Sequence, residues 1–233
     1  MRSTLKLKTK LLPLSLLALG LTGCGGSSSS GGSDNFQFDA TDLIENETNN
    51  IIVAGYEDLY TEAGDLVIAL AALQTTQNET TLTAAQDAWK AAREPWEQGE
   101  SHIFGPVDSL EIDPHLDSWP LNTSDLASTI SSYSGADIMT YNDDVQGFHA
   151  IEYLLFGNGA SSNDRDTDLT TEELAYLAAL SEVFEDYTES LYDSWETSFE
   201  SGAAYKTYLL NPGSAGNDYY SNDLVVHAEN NVI

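Results

Sequence analysis

Residues 80–106 read TTLTAAQDAWKAAREPWEQGESHIFGP, and within them Leu82, Ala85, Trp89, Ala92, Trp96, Gly99 and Ile103 recur three or four positions apart. That spacing lines up one face of an α-helix, and Gly105-Pro106 supplies its stop signal. Pro95 lies inside the pattern and removes a backbone donor, which predicts a kink one turn before Gly99. Upstream, from about Asn49, Ile52, Leu59, Ala63, Leu66, Leu70 and Leu73 mark the face of another long helix. Downstream, Thr170-Thr171-Glu172-Glu173 reads as a capping box. It opens a third apolar stripe, Leu174, Leu177, Leu180, Phe184, Leu191 and Trp195, which continues to about Phe199. Shorter helices are expected from Ser124 to Ser132 and from Asn142 or Asp143 to Phe156, the latter ended by Gly157-Asn158-Gly159. Residues 105–122 hold three prolines and read as an ordered loop. No alternating segment of strand length interrupts these stripes, so the expected fold is all-α, an up-and-down helical bundle.

Composition narrows the partners. The chain of 233 residues has 38 Asp+Glu against 8 Lys+Arg, a net charge of −30, and a single cysteine. Four of the cations (Arg2, Lys6, Lys8, Lys10) precede the first acid, Asp34. The other four, Lys90, Arg93, Arg165 and Lys206, are too few and too scattered to form the basic stripe that a phosphate backbone requires. Nucleic acid is therefore excluded as a partner, and an anionic membrane surface would repel the folded part. A hydrophobic content of 41% supplies a core, which argues against global disorder.

The basic residues 2–10 precede an apolar run, Leu11 to Leu21, that is about half the ~20 residues a spanning helix needs. The run ends in Leu21-Thr22-Gly23-Cys24, which resembles a bacterial lipobox. Residues 1–23 thus read as a lipoprotein signal peptide and Cys24 as the lipidated residue. Residues 24–47, beginning with Gly25 to Ser33 (GGSSSSGGS), read as a flexible tether. Gly25 after the cysteine, where Asp would retain the protein at the inner membrane, fits an anchor in the outer membrane facing the periplasm.

The chemistry concentrates in Gly147-Phe148-His149-Ala150-Ile151-Glu152-Tyr153-Leu154-Leu155-Phe156-Gly157. His149 and Glu152 are three apart on a helix, close enough to hold one metal ion. Imidazole with carboxylate suits iron, zinc, manganese or copper better than calcium. A second group, Trp89, Arg93, Trp96, Glu97 and Glu100, lies along the helix quoted first. Arg93 stands four residues before Glu97, and its place between two tryptophans implies that it neutralises a partly buried carboxylate, Glu97 or Glu152. Further oxygen ligands could come from Glu97, Glu100, Asp113, Asp117, Asp164 or Asp166. His102 and His115 read as surface or capping residues, and His227 carries no argument.

Four segments together, Trp89 to Glu100, Phe104 to Val107, Asp113 to Leu121 and Gly147 to Gly157, resemble the imelysin family in order and spacing. The resemblance covers roughly residues 48–200, with a fainter likeness in Asn211 to Tyr220. It implies an exported bacterial protein of two helical bundles, of which residues 48–200 would be the first and 201–233 an irregular tail or the start of the second. The family hallmark G-x-H-x-x-E falls on Gly147, His149 and Glu152. By the same resemblance, an Asp soon after that helix joins the metal site, which selects Asp164 or Asp166. The family includes lipoproteins of iron uptake, implying iron as the favoured metal, with zinc an alternative, and an outer-membrane transport system as the setting. It also includes a metallopeptidase. A zincin helix, however, carries H-E-x-x-H, whereas here Ala150 follows His149 and Tyr153 stands at the fourth position. Three readings remain open: a metal-binding lipoprotein using His149 and Glu152, a metallopeptidase, and an acidic scaffold for a basic partner.

Overall fold

The computed structural model describes residues 41–157, 165 and 167–211. The signal peptide, Cys24, Asp164, Asp166, His227 and the end of the tail lie outside the described residues. Those described are helical, with no strand among them and no helix long and apolar enough to cross a membrane. The first helical stretch begins earlier than Asn49. An α1 turn (Thr41–Asn46) passes through a π-helical segment (Glu47–Val53) into α2 (Ala54–Thr75), so residues 41–47 are helix and not tether. Every member of the expected α2 stripe from Ile52 to Leu73 is buried.

The short link of residues 76–78 reverses the chain into α3 (Glu79–Gln98). Asn78 caps α3 by accepting from the Thr80 and Thr81 amides. The helix runs through Pro95 but ends at Gln98, after which Gly99–His102 form a 3₁₀ turn. The proline thus sits in the last α turn, four residues before the 3₁₀ segment that replaces the expected continuation toward Gly105. Residues 106–117 are more ordered than a loop and contain α4 (Pro106–Ser109) and α5 (Ile112–Asp117). After α6 (Thr123–Ser132) and two 3₁₀ turns comes α7 (Gly147–Phe156). Then α8 (Thr171–Glu196) starts from the expected capping box of Thr170 and Glu173. A further helix, α9 (Tyr205–Leu210), lies where an irregular tail was expected. Its buried Tyr205 and Leu209 pack it back against α8 and the α1 end of the first helix.

α2 packs along both α3 and α8, while the shorter α7 lies against α3 and α8. Phe148 of α7 fills their junction, edge-on to the rings of Trp89 and Phe184. Two side chains of α3 then grip the α7 backbone from opposite ends. The Trp89 indole donates to the Phe148 carbonyl at 3.0 Å, and Gln86 donates to the Leu155 carbonyl at 2.8 Å. The helix that carries His149 is therefore held rigidly before any ligand arrives.

Candidate functional site

α7 can begin where it does because residue 147 is glycine. Its φ is +73°, and a Cβ there would stand 2.3 Å from the Leu116 carbonyl oxygen and 2.7 Å from that of His115. Any other side chain would push α7 away from the end of α5. The close approach sets Asp117, the last residue of α5, beside His149 in the first turn of α7.

The imidazole of His149 lies between two carboxylates. Its Nε2 is 3.1 Å from Asp117 Oδ1, and its Nδ1 is 3.2 Å from Glu152 Oε2. Asp117 is fixed from behind: the Trp96 indole donates to its Oδ2 at 2.9 Å, and the Arg93 guanidinium donates to its Oδ1. Arg93 also pairs with Glu97 and lies 4.8 Å over the Phe148 ring. The carboxylate it neutralises inside the site is thus Asp117, not Glu152, which faces the other edge of the imidazole.

Electrostatics follow from this chain of contacts. Burial alone would raise the Asp117 pKa, but hydrogen bonds from His149, Arg93 and Trp96, with the Arg93 charge, lower it to about 2. His149 moves the opposite way: its bond to Asp117 raises its pKa, burial opposes that, and Glu152 adds to it. Burial and neighbouring carboxylates, Asp117 among them, push Glu100 and Asp113 upward. Both are exposed and border the cluster instead of entering it. Gly147, Trp89, Arg93, Trp96, Glu97 and Asp117 therefore share one assembly around His149, while Glu100 lies at its edge.

One side of the assembly opens into a pocket of about 280 Å³ lined by Trp119, Pro120, Leu121, Thr123, His149, Glu152, Tyr153 and Gly157. Sequence reasoning had not singled out Trp119 or Tyr153. Trp119 follows Asp117 by two residues, and its ring centroid lies 4.7 Å from that of His149. The other described histidines, His102 and His115, are not among the pocket lining. His102 is buried rather than on the surface. His115 stacks flat on Tyr187 at 4.6 Å with its Nδ1 2.7 Å from Asp143.

A metal bound at about 2.0 to 2.2 Å to both an imidazole nitrogen and a carboxylate oxygen places those atoms roughly 3 Å apart. The Nδ1 of His149 and the carboxylate of Glu152 have that separation, at which they are hydrogen-bonded to each other, and both residues line the pocket. Asp117 has it too but is committed to Arg93 and Trp96. Among the described residues no group of three His, Cys, Asp or Glu is arranged to hold a metal ion. The described donor set is therefore one imidazole and one carboxylate.

The family model for imelysin, peptidase M75, matches residues 52–229. Iron-regulated protein A of Synechococcus elongatus is 29% identical over 211 residues, covering 90% of this chain and 55% of that protein. A crystal structure assigned as an iron-regulated protein A precursor from Parabacteroides distasonis has a TM-score of 0.63 at 29% identity, over 73% of this chain and 49% of the other. An imelysin-like protein from Psychrobacter arcticum shares the fold, with a TM-score of 0.59 at 16% identity over 69% and 52% of the two chains. The chain spans about half the length of these relatives.

Proposed function

The chain belongs to the imelysin family, and from that premise we propose that it binds a metal ion, iron favoured, through His149 Nδ1 and Glu152, as a lipoprotein of the periplasm. The observation that carries the reading is the His149 imidazole, held at Nε2 by Asp117 and at Nδ1 by Glu152, with His149 and Glu152 both lining a pocket. A histidine whose second nitrogen is bound by a carboxylate is oriented and made more basic toward a metal. Iron is favoured because the relatives from Synechococcus and Parabacteroides are named iron-regulated proteins. The lipobox at Cys24 supports an anchored, exported protein, with an iron transport system of the outer membrane as its setting.

Bound metal would supply an electrophilic centre held by His149 and Glu152, and the protein's own residues keep that pair in place. Asp117 fixes the ring orientation, Arg93 and Trp96 fix Asp117, and Gly147 permits the contact. Calorimetric titration with iron, zinc, manganese and copper, repeated on His149→Ala and Glu152→Ala, tests the reading. Micromolar or tighter binding that falls about a hundredfold in either variant is expected. No binding in that range, or variants that match the unmodified chain, would refute it.

A further inference from the structure

We infer that the pocket beside His149 takes its metal inside an organic chelate with a flat apolar face, and that Trp119 is the wall that selects this cargo. The inference rests on the metal-binding reading and adds the class of ligand.

Two observations carry it. Among the described residues, the imidazole and carboxylate donors that line the pocket are those of His149 and Glu152, while iron, copper and zinc hold four to six ligands. A metal bound by this pair keeps other positions for groups that come with it. The second observation is the lining. Around His149 and Glu152 stand Trp119, Pro120, Leu121, Thr123 and Tyr153. Water bound to a naked ion needs polar partners on its outer side, and these walls offer mostly carbon. A chelate with aromatic rings presents carbon to carbon, so the same walls become contacts.

Size and exposure agree. The space of about 280 Å³ is far larger than a bare ion and approaches the ~300 Å³ at which small-molecule sites begin. Trp119 is 73% exposed, and Tyr153 beside it is 37% exposed. A solvated indole next to an ordered imidazole is a face held ready for stacking. Its exposure also means that removing it takes little from the core.

The test uses the full chain, with copper(II) alone, the 1:1 complex of copper(II) with 2,2′-bipyridine, and bipyridine alone. The complex keeps open coordination positions for His149 and Glu152 and adds a flat aromatic face. It is expected to bind about tenfold tighter than bare copper, the worth of one good stacking contact. Trp119→Ala should erase that preference, read as the ratio of the two affinities within the same variant, and Trp119→Phe should keep most of it. Equal affinity for complex and bare ion, or a preference that survives Trp119→Ala, overturns the inference and leaves metal binding intact. Bipyridine alone binding as tightly as its copper complex also overturns it, since the pocket would then read the ring without the metal. Failure of both copper and complex to bind defeats this inference and the metal-binding reading together.

Discussion

Arg93 and Arg165 are both mostly buried, and each holds two carboxylates, yet they fasten different things. Arg93 joins Glu97 on its own helix to Asp117 at the end of α5, and through Asp117 it reaches the His149 imidazole. Arg165 donates to Glu173 at 3.0 Å, lies 3.7 Å from Asp168, and donates to the Leu154 carbonyl of α7 at 3.1 Å. Glu173 is at the same time the capping carboxylate that accepts from the Thr170 amide at 2.7 Å. Burial works against ionised Glu173, and the Thr170 and Arg165 bonds outweigh it, so its pKa falls below the usual range as that of Asp117 does. The electrostatics are alike. What differs is the far side of the carboxylate: Asp117 meets an imidazole that lines a pocket, whereas Glu173 meets the first turn of α8. The two arginines thus differ in one respect: only the carboxylate held by Arg93 touches a group that lines a pocket.

The largest effect expected from breaking this contrast comes from Arg93→Ala. It leaves the Asp117 side chain, 10% exposed, without its guanidinium partner. Losing one partner of a buried pair costs about 3 kcal/mol or more, a fall in Tm on the order of 10 °C for a domain of this size. Metal affinity should fall about tenfold as well, since Asp117 no longer holds the ring in one orientation. Calorimetric melting and metal titration on the same preparation check both. Unchanged melting with unchanged affinity would show that Arg93 supports neither the bundle nor the site.

A pH scan sharpens the same point with a smaller effect. The folded-state pKa of Asp117 is depressed to about 2, so its contribution is present above the ordinary carboxylate pKa and is lost as pH falls through the folded value. The shift is worth about 2 kcal/mol, lost between roughly pH 4 and pH 2. His149 has the opposite sign. Its raised pKa gives stability that is complete below the ordinary histidine value and is lost as pH rises through the folded one. Asp117→Asn should flatten both limbs in denaturant unfolding measured from pH 2 to 9. An acid limb of unchanged size in that variant would mean that other carboxylates carry it.

The parts of this architecture that the sequence discloses are those whose determinants lie within a few residues of one another. The stripes of α2, α3 and α8 repeat every three or four residues, the Thr170 capping box spans four, and His149 and Glu152 share one helical turn. The Asp117–His149 contact joins distant positions in the chain, and it depends on the positive φ of Gly147, which periodicity does not encode. Arg93 was legible as a neutralising cation, but its partner inside the site was not, because α5 was read as loop. The early start at Thr41 was hidden for a different reason. Residues 41–50 are mostly polar and exposed, so no apolar stripe announces the helix. Trp119 looked like one more residue of a proline-containing loop, and only the fold sets its ring against His149.

The smallest effect, and the one that decides whether the contrast holds, is expected from Arg165→Ala. The variant loses hydrogen bonds to Glu173 and to the Leu154 carbonyl, and the first of these is charge-assisted. Glu173 keeps its bond from Thr170 and is partly exposed, so water can replace the guanidinium where it cannot at Asp117. The cost should be about 1.5 kcal/mol, half of that for Arg93→Ala. Its distribution matters more than its size. Gln86 and Trp89 still hold the α7 backbone, so His149 and Glu152 keep their places and metal affinity should stay within about twofold. Metal affinity that drops as far as in Arg93→Ala would erase the distinction, because the site would then depend on the fastening of α7 as a whole and not on the carboxylate behind its histidine.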